Sequence, residues 1–160
     1  MPKYDRNRFE KEIAQFQDDL TNREKQYLSD FLDEWMYSYD DAEYLGLRKN
    51  KLDTVYICLY HNDMIYAIGG NSSTIMYAPR MSLRRNDDKI TIDDVICRNN
   101  SVGNGTMLMN ALLEYAKLNH IKKIHGFLSS IDEGHRERQE NYYKKFGFTV
   151  TKNNIEKTLM

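Results

Sequence analysis

The stretch Asn100-Ser101-Val102-Gly103-Asn104-Gly105-Thr106 has the residue types and spacing best suited to chemistry in this chain. It lies between Ile90 to Arg98, which reads as a strand, and a run with Met107, Leu108, Ala111, Leu112, Tyr115 and Ala116 on one helical face. A glycine-rich turn at such a junction presents backbone N–H groups to an anion, with the positive end of the helix behind them. Two nucleotide motifs fail here. A P-loop needs Lys-Ser or Lys-Thr after its last glycine, and Gly105 is followed by Thr106-Met107. A dinucleotide fingerprint needs a third glycine where Leu108 stands and an acidic residue where Leu128-Ser129-Ser130 stands.

The elements that must position this turn follow from periodicity. Phe9, Ile13, Phe16 and Leu20 paint one face of a first helix, and Thr21 with Glu24 has capping-box spacing. Tyr27, Leu28, Phe31, Leu32, Trp35 and Met36 make the stripe of a second helix, which ends near Tyr39-Asp40-Asp41 and a turn at Gly46. From Thr54 the period becomes two. Val55, Ile57 and Leu59 alternate with Tyr56, Cys58 and Tyr60, His61-Asn62-Asp63 supplies a turn, and Met64 to Ile68 completes a hairpin, with Thr74 to Tyr77 a possible extension. Pro79 through Asp88 reads as a polar loop carrying Arg80, Arg84 and Arg85. Asn119-His120 stops the central helix, and Ile121 to Leu128 is a strand, so the order is that of a parallel crossover. A polar helix at about 132–146, with Ser130 and Glu133 at capping-box spacing, ends at Gly147, and 148–151 and 155–159 read as short terminal strands.

Composition bounds the function. The 160 residues, 41% of them hydrophobic, suffice for one domain spanning 1–160, with helices over 1–46 and a sheet core over 54–160. Lys and Arg number 23 against 24 Asp and Glu, so no overall charge attracts a polyanion and nucleic acid is a secondary hypothesis. The N-terminus lacks the apolar core of a secretory signal, and no apolar run approaches the ~20 residues that cross a bilayer. A cytoplasmic protein without a membrane partner is the expectation. Cys58 and Cys97 sit in strand-like runs without zinc spacing or disulfide density, so buried thiols and no metal are expected.

A wider pattern is more specific. Ile92-Asp93-Asp94-Val95-Ile96-Cys97 through Val102-Gly103-Asn104-Gly105-Thr106-Met107-Leu108-Met109 resembles motif A of the GNAT acyltransferase superfamily. Asn141-Tyr142-Tyr143-Lys144-Lys145-Phe146-Gly147-Phe148 resembles that family's closing motif. The resemblance covers roughly residues 54–160 and implies an α/β fold: a mixed central sheet flanked by helices, splayed beside the fourth strand, with acetyl-CoA in the opening. It further implies that Gly103, Asn104, Gly105 and Thr106, with Arg98, Asn100, Ser101 and Val102, hold the CoA pyrophosphate. The backbone of Val95, Ile96 and Cys97 would pair with the pantetheine arm. Asn100 replaces the usual glutamine or arginine, and Arg136 and Gln139 align with the family's asparagine and alanine.

The implied activity is transfer of an acetyl group from acetyl-CoA to a primary amine by direct attack. By motif position Tyr143 is the general acid that protonates the leaving thiolate. The amine needs a base, and strand alternation sends Asp93 and Asp94 to opposite faces, so that one of them meets the acceptor. His125 alternates with its neighbours and is a candidate for the cleft, whereas His61, His120 and His135 receive no role. Two other readings stay open. One is an inactive GNAT-fold module that binds acyl-CoA or a protein partner, and the other is a modifier of tRNA-borne or protein amines using Arg80, Arg84, Arg85 and Arg98. A homodimer pairing through the strand at 155–159 is a further expectation.

Overall fold

The computed structural model describes residues 6–16, 18–38, 41–69, 78–97, 102–128 and 133–159. Two helices come first, α1 (Arg6–Gln15) and α2 (Asn22–Ser38). Thr21 caps α2 as its spacing predicts: Glu24 N–H donates to Thr21 Oγ1 at 3.1 Å. Five strands follow, β1 (Glu43–Lys49), β2 (Val55–His61), β3 (Met64–Gly69), β4 (Arg80–Asn86) and β5 (Lys89–Ile96). Then come α3 (Asn104–Leu118), β6 (Lys123–Phe127), α4 (Glu133–Lys145), β7 (Thr149–Thr151) and β8 (Asn154–Thr158). The strands form one mixed sheet in the order β1-β2-β3-β4-β5-β6-β8-β7, in which β5 and β6 run parallel and the other neighbours antiparallel.

Two elements depart from the sequence reading. The Gly46 turn is instead the bulge of β1, with Gly46 at φ +108° and the register shifting between Tyr44 and Gly46. A glycine there extends the strand because only it takes that φ without strain. The supposed loop at 79–88 is largely β4, whose Met81 and Leu83 point into the core while Arg80, Ser82 and Arg84 alternate with them. Cross-strand pairing with β5 outweighs the polar composition. Thr74 to Tyr77, Tyr39, Asp40 and Ser130 lie outside the described residues.

The sheet has a core on each face. Leu28, Leu32, Trp35, Leu47, Ile57, Leu59 and Ile68 pack α1 and α2 over β1 to β3. Leu45, Cys58, Ile65, Met81, Ile90, Leu108, Leu112 and Tyr143 form the opposite core around α3. Cys58 is fully buried, which pushes its thiol up to about 12. The terminal strands also correct an expectation. β8 lies between β6 and β7, so the outer strands are β1 and β7, and pairing of two copies through 155–159 would displace β7. No helix among the described residues is long and apolar enough to cross a membrane.

Candidate acyl-CoA site

The sheet opens where β5 leaves β6. β5 pairs with β4 as far as Ile96↔Arg80, but with β6 only from Lys89↔Lys123 to Ile92↔Gly126. Gly126 lets the strands come close at that last pair, since a Cβ there would lie 3.0 Å from the Ile92 carbonyl oxygen. One residue later β5 bulges. Ser82 partners Asp94 and Leu83 partners Ile92, which leaves Asp93 as the extra residue and bends the strand away. A cavity of about 640 Å³ fills the opening, within the roughly 300–1,000 Å³ of small-molecule sites. Ile92, Asp93, Asp94, Val95 and Cys97 of the β5 side, Phe127 of β6, Gly103 to Thr106, and the inner face of α4 line it.

At one end stands the N-terminus of α3. Gly103 is its N-cap at φ +91°, and no side chain among the described residues caps the helix. The first-turn N–H groups therefore have no intrahelical or side-chain acceptor and favour an anion. The glycines also pack closely against other parts of the protein. A Cβ on Gly103 would lie 3.2 Å from Lys51 N and Cγ, and one on Gly105 would lie 3.1 Å from Cys97 Sγ and 3.2 Å from Tyr142 Cε2. Side chains at either position would crowd these protein atoms. Tyr142 also donates its hydroxyl hydrogen to the Gly105 carbonyl at 2.8 Å.

The Asn104 side chain is likewise turned into the protein. It is buried, donates to Cys97 O at 3.0 Å and accepts from Asn50 Nδ2 at 3.2 Å, so it ties the turn to its neighbours instead of facing a ligand. Arg98, Asn100 and Ser101 lie outside the described residues. Val102 contributes its carbonyl, which accepts from Lys51 N–H at 2.6 Å. Positive charge reaches this end of the cavity from elements remote in sequence. Lys51 comes from the turn after β1, and Arg138 and Lys145 come from α4. Lys145 donates to Thr106 Oγ1 at 3.0 Å, while Lys51 and Arg138 form no ion pair among the described residues.

The acid–base candidates line the same cavity. Tyr143 is buried in the cavity wall, edge-on to Tyr142 and Phe148 with ring centroids 5.0 and 5.4 Å away. It is placed by the way α4 ends: Gly147 at φ +84° allows Phe148 N–H to donate back to Tyr143 O at 3.1 Å and Gly147 N–H to Lys144 O at 3.0 Å. Burial, then the neighbouring Cys97 and Asp94, push its phenol well above the usual tyrosine range. Burial likewise raises the Cys97 thiol, which stays protonated. Gln139, one turn before Tyr143, lines the cavity with a buried Oε1 that has no hydrogen-bond partner among the described residues.

Asp93 and Asp94 share a face, contrary to simple alternation. Asp94 partners Ser82, and Asp93 is bound by Arg84, whose own partner is Thr91; Ser82, Arg84 and Thr91 all point away from α3. The bulge restores Asp93 to the side of Asp94. Arg84 Nε lies 2.9 and 2.8 Å from the two Asp93 oxygens, whereas Asp94 is exposed and accepts only from its neighbour Val95 N–H at 2.9 Å. Val95 packs against the α3 core, and Ile96 partners Arg80 at the far end of the β4 pairing. His125 does not line the cavity; its Nδ1 lies 3.2 Å from Thr91 Oγ1 and its ring meets Phe127 edge-on. Arg136 is likewise committed elsewhere, to Glu140, Asn153 and the Lys152 carbonyl.

Sequence reasoning missed Lys51, Phe127, His135, Arg138, Gln139 and Lys145. The α4 residues had a signal, because 135, 138, 139, 142 and 145 share one helical stripe with the motif tyrosines. Lys51 had none. Among the described residues no group of three or more His, Cys, Asp or Glu side chains could hold a metal ion.

A mixed sheet splayed beside its parallel pair, with a glycine turn into α3 and a tyrosine on the next helix, is the arrangement that the resemblance of the two motifs implies. Solved structures similar to this chain include Arabidopsis thaliana Naa50 in complex with the bisubstrate analogue CoA-Ac-MVNAL, at 18% identity and TM-score 0.40, covering 65% of this chain and 71% of that one. Another is a probable acetyltransferase from Staphylococcus epidermidis, at 12% identity and TM-score 0.45, covering 91% of this chain and 81% of that one. No protein-family model matches the chain, and neither does any curated sequence.

Proposed function

We propose that this protein transfers an acetyl group from acetyl-CoA to a primary amine by direct attack. The observation that carries the reading is one cavity lined together by an anion-favouring helix end, Lys51, Lys145, Tyr143 and Asp94. The edge of β5 beyond Ile92 has no pairing with β6, so its backbone groups are available to the amides of the pantetheine arm. The orphaned Gln139 Oε1 offers an acceptor to a ligand N–H in the same space.

In the reaction, the neutral amine nitrogen attacks the thioester carbon and the C–S bond breaks. The departing thiolate takes the Tyr143 proton, and the proton lost by the amine leaves through Asp94 or water held by it. Asp94 suits this role better than Asp93, whose charge is already neutralised by Arg84. Cys97 is not acylated, because its raised pKa keeps it a thiol and no base is hydrogen-bonded to it. Asp94→Asn should lower kcat/KM about 10-fold or more with little change in acetyl-CoA affinity, and Asp93→Asn should do less. Equal losses in the two variants would remove the distinction.

Calorimetric titration with acetyl-CoA and CoA, followed by an amine panel assayed for thiol release, tests the function. Binding with acceptor-dependent CoA release is the expected result. No heat at millimolar ligand would overturn the acyl-CoA reading, and binding without transfer to any amine would favour a binding module.

A further inference from the structure

We infer that the turn between β1 and β2, at 50–54, is a working wall of the cofactor site, with Lys51 neutralising the CoA diphosphate and Asn50 positioning the loop that presents it. This inference rests on the acyl-CoA reading above. The turn lies outside both GNAT-like motifs, and it is joined to the glycine turn at three points. Lys51 N–H donates to Val102 O at 2.6 Å, Asn50 Nδ2 donates to Asn104 Oδ1 at 3.2 Å, and Lys51 Cγ occupies the place a Cβ on Gly103 would need.

Asn50 is buried, and both the oxygen and the nitrogen of its side chain are engaged. Its Oδ1 accepts from Leu52 N–H at 2.9 Å and Thr54 N–H at 3.1 Å, which shapes the turn, while its amide nitrogen reaches Asn104. Asn104 in turn holds the Cys97 carbonyl. A chain of hydrogen bonds thus runs from β1 through Asn50 and Asn104 to the end of β5, and the glycine turn is suspended from it.

Charge supplies the second argument. A diphosphate carries about two negative charges, and Asn100, where the family has a longer or charged residue, brings none. Lys51 on the Gly103 flank and Lys145 on the Thr106 flank bring two ammonium groups to the same cavity from two other elements. Lys51 has no carboxylate among the described residues to satisfy it, so its charge is available to the ligand.

Titration calorimetry of the full chain with CoA and with dephospho-CoA, which keeps the diphosphate but lacks the 3′-phosphate, tests the assignment. Lys51→Ala should weaken both ligands by a similar factor of about 10, and Lys51→Arg should retain most of the affinity. Undiminished binding by Lys51→Ala overturns the assignment, as does a loss confined to CoA, which would put Lys51 on the 3′-phosphate. Asn50→Asp keeps the turn-forming oxygen but loses the donor to Asn104, and should weaken both ligands as well as lower the thermal midpoint. A lowered midpoint with unchanged affinity would make Asn50 merely structural. Failure of the unaltered protein to bind either ligand is a separate outcome, and it overturns the acyl-CoA reading itself.

Discussion

Tyr143→Phe is expected to lower kcat about 100-fold while leaving the acetyl-CoA dissociation constant within about a factor of two. The substitution removes only the hydroxyl, so the packing against Tyr142 and Phe148 and the helix end at Gly147 survive. What is lost is the proton for the leaving thiolate. Direction of titration sharpens the test. Burial raises the Tyr143 pKa, so the folded protein keeps the phenol protonated beyond the ~10 of a free tyrosine, and the rate should not fall between about pH 7 and 10 through loss of this acid. Over that interval the fraction of neutral amine grows, so kcat/KM should rise and then level. Full turnover by Tyr143→Phe with a competent amine would sink the general-acid role.

Glu12→Ala should destabilise the fold by about 3 kcal/mol, a large effect for a charged residue of a surface helix. Glu12 Oε2 accepts from Tyr44 hydroxyl at 2.5 Å and Leu47 N–H at 2.7 Å, and Oε1 accepts from Arg8 Nε at 2.8 Å. Arg8 continues to Glu114 of α3 at 2.8 Å, and Arg48 of β1 meets the same carboxylate at 2.5 Å. Gly46 makes the crossing possible, because a Cβ there would lie 2.8 Å from Arg8 Nη2. Removing the carboxylate leaves the Leu47 N–H and the buried Tyr44 hydroxyl without their acceptor. Glu12→Gln keeps an acceptor and should cost less. Urea unfolding measures both, and a change below about 1 kcal/mol for the alanine variant would show the network to be dispensable.

Glu12 also marks a limit of sequence reading. On the helical wheel it stands beside Ile13 on a charged surface helix, and nothing local says that it caps a strand bulge thirty-odd residues away. β1 was hidden for a related reason. Its glycine and continuous apolar run, Tyr44-Leu45-Gly46-Leu47, break the alternation that marks a strand. In β4 the alternation is present at Met81 and Leu83, but three arginines and the preceding Pro79 outweighed it. By contrast the α2 cap, the α3 face, the parallel crossover and the Gly147 stop were legible, because each depends on residues within a few positions of one another.

The same division runs through the site. The anion-favouring turn into α3 was legible as a local pattern of glycine and apolar spacing, while Tyr143 and acetyl-CoA as the ligand to expect came from the resemblance of the two motifs to the GNAT superfamily. Tertiary structure alone decided what the glycines touch, which carboxylate is free, and where the positive charge comes from. Gly103 and Gly105 are filled by Lys51, Cys97 and Tyr142, and a one-residue bulge turns Asp93 onto the face of Asp94 and into the grip of Arg84. Lys51 and Lys145 converge from opposite flanks of α3 although 94 positions separate them in the chain. Register across distant strands sets all three outcomes, and a side-chain period of two carries no information past a bulge.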